Sequence, residues 1–229
     1  MSWIARYKNN EEVKVWNELR SLDCEQLNKF EKKDVEEVVK ETISRISYNI
    51  KVIYNAFEID YINNETPDDL LLELKNRISS YGMMSNFLET FYKSIDKVDF
   101  VKIREKYFPH ENNLDPLYIE SVKGMIELLS DGSWEEEMED LIDEGEDPCI
   151  YISPDIYHKD NISGDVPYGI VIENRNTIDT LICNTMYGDI YFLDYLRLTF
   201  DNYGFTNLKK ESIIPEKYRV MIKNRLVKF

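Results

Sequence analysis

Between Asp34 and Phe57 the apolar residues Val35, Val38, Val39, Ile43, Ile46, Ile50, Ile53, Tyr54 and Phe57 recur at steps of three and four. That spacing lays one stripe along one face of a long helix. Thr66-Pro67-Asp68-Asp69 predicts the start of another, with Thr as cap, Pro at the first helical position and two acids at the positive end of the dipole. Leu70, Leu71, Leu74 and Ile78 form its inner face and Gly82 its stop. Ser85 opens a third helix carrying Phe87, Leu88, Phe91, Tyr92 and Ile95, and Val98 to Phe108 continues the pattern up to Pro109. Asp115-Pro116 repeats the cap-plus-proline signal ahead of Leu117, Val122, Met125, Ile126 and Leu129. Ser133 and Glu136 have the spacing of a capping box, with Trp134, Met138, Leu141 and Ile142 facing inward and Gly145 as the end.

Beyond Pro148 the period changes. Cys149 to Ile152, Tyr168 to Ile172 and Thr180 to Cys183 are short β-branched and aromatic runs bounded by turn residues, and they predict three strands. Asp189 is placed to cap a helix with Phe192, Leu196 and Phe200 inside and Gly204 as its stop; Pro215 starts a last helix with Tyr218, Met221, Ile222 and Leu226. The fold class expected is α+β, a helical N-terminal part (1–147) packed on a small sheet-and-helix part (148–229). No flexible linker separates the two, so one continuous domain stays open.

Charge narrows the function classes. The chain has 229 residues and a net charge of −16, which argues against a nucleic-acid partner, because phosphate binding needs clustered Lys and Arg. From Asp131 to Asp147 there are ten acids and no base, whereas Lys209 to Phe229 holds seven bases and two acids. The acid run therefore reads either as the solvated face of its helix or as a docking surface for a basic partner, and the acidic and basic segments could attract each other. It lacks the alternating acids and central glycine of a calcium-binding loop. No run approaches the ~20 apolar residues of a membrane span, and the N-terminus lacks the apolar core of a signal peptide. Cys24, Cys149 and Cys183 have no paired spacing, so neither a disulfide framework nor a zinc site is expected and the location expected is cytoplasmic.

Catalytic chemistry finds little footing. His158, with Asp155, Lys159, Asp160 and Ser163 beside it, is the one candidate for acid–base work, but three triad residues within nine positions rarely converge, and no nucleophile elbow is present. The loop reads either as turn structure or as a binding loop in which His158, Lys159 and Asn161 contact a partner. His110 is expected in an exposed connection, and Arg197 in an ion pair with Asp194 or Asp201. Isolated glycines provide no phosphate loop, so no cofactor and no metal are expected.

The segment HKDNISGDVPYGI followed by YFLDYLRLTFDNYGF resembles the C-terminal part of a group of uncharacterised bacterial cytosolic proteins. His158, Lys159, Asn161, Ser163 and Gly164 match, then Phe192, Tyr195, Leu196, Arg197, Phe200, Gly204 and Phe205; Asp165, Tyr203 and Thr206 depart from its two glycines and its proline. That group is in turn distantly similar to SUKH-type immunity proteins, which neutralise secreted bacterial toxins by binding them. The resemblance implies a binding role and no catalytic residue.

The sequence thus points to a non-catalytic cytosolic protein-recognition module, in the manner of an immunity or antitoxin protein, that binds a basic partner through Glu135, Glu136, Glu139, Asp140, His158, Lys159 and Asn161. Two alternatives remain, a small hydrolase or transferase with its site at the His158 loop, and a self-associating structural or regulatory protein.

Overall fold

The computed structural model describes residues 2–62, 65–111, 114–130, 132–153, 167–185, 187–208 and 210–229. Among these, ten helices and two small antiparallel sheets make an α+β fold. Helices α1 (Trp3–Lys8) and α2 (Glu12–Leu19) precede α3 (Lys29–Ala56), the longest element. Asn28 accepts from the Phe30 and Glu31 amides while Glu31 accepts from the Asn28 amide, so a capping box starts α3 ahead of the apolar stripe. That stripe is buried from Val35 to Tyr54. Trp16 of α2 packs against it and donates its indole N–H to Thr42 at 3.0 Å.

Helices α4 (Asp68–Ile78) and α5 (Asn86–Ser94) follow, then β1 (Val98–Asp99), α6 (Val101–Tyr107), β2 (Tyr118–Ile119), α7 (Val122–Leu128) and α8 (Ser133–Glu144). Strands β1 and β2 pair with each other, and the Tyr54 hydroxyl fastens β1 to α3 by bonding both backbone groups of Asp99 at 2.9 Å. The larger sheet is a four-stranded meander of β3 (Cys149–Ser153), β4 (Tyr168–Val171), β5 (Leu181–Cys183) and β6 (Ile190–Tyr191). Its register puts Ile150, Ile170, Ile182 and Ile190 in one row. This row faces the core, where Phe192 of α9 (Phe192–Asp201) meets Phe87 and Phe91 of α5. After α10 (Glu216–Lys223) the chain returns to α3, where Asn49 bonds both backbone groups of Val227. Buried side chains from Tyr7 through Phe229 form one hydrophobic cluster that draws on both sides of Pro148.

Several starts differ from the sequence reading. Asp115-Pro116 opens no helix: Leu117 donates to the Gly204 carbonyl and accepts from the Phe100 amide, both at 2.9 Å, which holds this stretch extended. The helix begins at Ser121, whose hydroxyl caps the Gly124 amide at 3.1 Å. Thr66 does not cap α4 but donates to Asp96 at 2.8 Å. Ser133 is the first residue inside α8 rather than its cap, a place taken by Gly132, and α9 starts after Tyr191 with no side-chain cap from Asp189. Val98 to Phe108 splits into a strand and a helix. His110 is exposed in a turn, and Arg197 pairs with Asp194 at 2.9 Å. No helix among the described residues is long and apolar enough to cross a membrane.

Candidate functional site

Helix α8 is anchored by Trp134 and Met138, and its outer face is mostly acidic, with Ile142 exposed there rather than facing inward. The Trp134 indole donates to the Cys149 carbonyl at 2.9 Å, and the Cys149 amide donates to the Met138 sulfur at 3.2 Å. Tyr81 meets the Trp134 ring edge-on, with centroids 5.0 Å apart. Trp134 and Met138 are buried, whereas Glu136, Glu137, Glu139, Asp140, Asp143 and Glu144 are exposed, and Glu146 and Asp147 continue the acidic surface. Glu135 is half-buried against Tyr81, where one carboxylate oxygen has no hydrogen-bond donor and adds to the burial that raises the Tyr81 phenol's pKa. Among the described residues none of these acids has a basic side chain at ion-pair distance. The left-handed Gly145 (φ 84°) ends the helix, which leaves Asp143 and Glu144 in its last turn with no base to offset the dipole there.

A cleft of about 220 Å³ opens between α7 and α8, floored by Met125, Leu129, Trp134 and Ile150 and rimmed by Glu137 and Tyr151. Tyr151 donates its hydroxyl to Glu137, which ties the acidic helix to the outer face of the large sheet. On that face the register sets Tyr151, Gly169 and Cys183 side by side across three strands. A Cβ on Gly169 would stand 2.7 Å from the Cys149 sulfur and 3.0 Å from the Cys183 sulfur. Only glycine leaves both thiols room, and the two face each other across the missing side chain.

Two carboxyls with no exposure at all lie elsewhere. Asp179 is fully buried between α2 and α9; it accepts from the Thr180 amide at 2.9 Å, and its second oxygen has no partner. Burial pushes its pKa up to about 7, against the pull of backbone donors and of Arg20, which pairs with Asp194 at 2.6 Å. Asp115 accepts from the Tyr168 hydroxyl at 2.8 Å and from Thr206, so it serves the junction of β2, β4 and the segment after α9.

Of the residues singled out by sequence, Glu136, Glu139 and Asp140 stand together on the exposed face of α8 and Glu135 at its edge. His158, Lys159 and Asn161 lie outside the described residues. The pairing of Cys149 with Cys183 escaped the sequence reading, because two thiols 34 positions apart meet only through strand register. Among the described residues no ion pair joins the acidic run to the basic C-terminal segment, where Arg219 pairs with Glu211. No group of three side chains able to hold a metal ion converges among the described residues. No protein-family model, curated protein or solved structure matches this chain.

Proposed function

We propose that this protein is a recognition module whose exposed α8 face binds a basic protein. The observation that carries the reading is the set of acids Glu136, Glu139, Asp140, Asp143 and Glu144, without an ion pair among the described residues, on a helix whose other face is held by Trp134 and Met138. Elsewhere in the chain some acids are matched by neighbouring bases, as Glu89 is by Lys75 and Lys93. On α8 the acids have no such base among the described residues. Two of the acids sit at the negative end of the helix dipole, each costing about 0.3–1 kcal/mol at low salt, a cost that binding offsets. An acidic patch speeds encounter with a basic partner and selects against acidic ones. The adjoining cleft has an apolar floor and an acidic rim, which suits the aliphatic stem and charged head of a partner's Arg or Lys.

The resemblance to SUKH-type immunity proteins narrows the partner to a secreted toxin with a basic surface, such as a nuclease whose phosphate groove an acidic helix would cover. Action in the cytoplasm is in keeping with three free thiols. The test is low-salt affinity capture from the source cells, with the wild type and the Glu136→Lys/Glu139→Lys/Asp140→Lys variant as parallel baits. A stoichiometric basic protein held by the first and lost by the second supports the reading. Identical captures by both folded baits contradict it.

A further inference from the structure

Cys149 and Cys183 are brought together by the sheet alone. They sit on β3 and β5, the two strands that flank β4, and both sulfurs point into the space above Gly169. Strands separated by a third lie roughly 9–10 Å apart, whereas a disulfide requires Cα atoms within about 7 Å. The backbone therefore holds the sulfurs close but opposes a bond between them. We infer that this thiol pair is a two-coordinate site for a soft monovalent cation of the Cu(I) type, held between the Cys149 and Cys183 sulfurs above Gly169.

The surroundings suit that ligand. Thiolates favour soft ions, and a linear two-sulfur site needs no third protein ligand, unlike the four-coordinate zinc sites of proteins. The neighbourhood is negative, with Glu137 acting on Cys149 and Asp189 on Cys183, and attracts a cation. Cys149 is 3% exposed beneath α8, but Cys183 is only partly buried and offers the way in. The Cys183 thiol donates to the Gly169 carbonyl at 3.3 Å, which holds its sulfur over that glycine. Binding exchanges both thiol protons for one Cu(I); the protons go to solvent and no electron is transferred. Cys24 lies on another part of the chain, half-buried beside Asp23, and takes no part.

The experiment is anaerobic titration of the reduced full-length protein with Cu(I) against a chromophoric chelator, followed by X-ray absorption at the copper edge. The wild type and Cys24→Ser should each retain one ion per chain against the chelator, with two sulfur neighbours. Cys183→Ser and Cys183→Ala should lose that retention while keeping wild-type circular dichroism; two replacements at a partly buried position guard against misfolding of either. Equal retention by folded Cys183 variants overturns the inference, as does failure of the wild type to hold copper. Rapid formation of a Cys149–Cys183 disulfide with mild oxidant would also overturn it, since the backbone would then be shown to close the gap.

Discussion

Gly169 carries more of this protein's architecture than its size suggests. A methyl group there would press on the Cys149 sulfur at 2.7 Å, and Cys149 cannot retreat because its amide and carbonyl are fixed by Met138 and Trp134. Gly169→Ala is expected to cost about 1–3 kcal/mol, the usual range for overpacking. The penalty should shrink in a Cys149→Ala background, a coupling that urea-unfolding midpoints of the four proteins in the cycle will read. Asp179 makes a second prediction, in pH. Its carboxyl titrates near 7 when folded and at 3.8 when exposed, so the folded state binds the extra proton. The sign follows: its contribution to stability falls as pH rises from about 4 to about 7, by up to about 4 kcal/mol, and stays lost above. Arg20 and Asp194, paired at 2.6 Å, are the charges that face it. Asp179→Asn should therefore be more stable than the wild type at pH 8, with the advantage shrinking toward pH 5 in paired denaturant titrations. An advantage unchanged with pH would refute the assignment.

Elements differ in how openly the sequence declares them. Helix α3 is legible because its stripe is local and continuous, and α8 because Trp134 and Met138 repeat at helical spacing before the Gly145 stop. Helix starts mislead where a cap signal is taken over by a long-range partner. Thr66 is claimed by Asp96, and the Asp115 region by Tyr168, Thr206 and the Gly204 carbonyl, all distant in sequence. Strand β6 is only two residues long, too short for a period to register. The acidic side of the candidate site was readable for the same reason as α8 itself, whereas the thiol pair depends on which strands neighbour β4. At this scale the account predicts a trade-off. Asp143→Lys with Glu144→Lys places bases in the last turn of α8 and should raise stability by about 0.3–1 kcal/mol per position at low salt. The same change should weaken the partner, so thermal denaturation and capture yield must move in opposite directions.

As a whole, the molecule distributes charge unevenly about a continuous core. A net charge of −16 leaves a strong field, which salt screens over about 10 Å at moderate ionic strength. The basic segment after residue 208 does not neutralise α8 within the described residues; the acids remain available to a partner. Pairing of α8 with the basic segment of a second copy would instead appear as salt-sensitive self-association, and sedimentation at low and high salt is expected to give one species throughout. The central claim is that the α8 acids drive recognition. Its most direct test is stopped-flow association of the captured, purified partner with the wild type and with Glu136→Lys/Glu139→Lys/Asp140→Lys, at two ionic strengths. The account predicts a fast wild-type association rate that falls steeply with salt, and a slow variant rate that barely responds to it. Equal rates with equal salt dependence for the two proteins would contradict it.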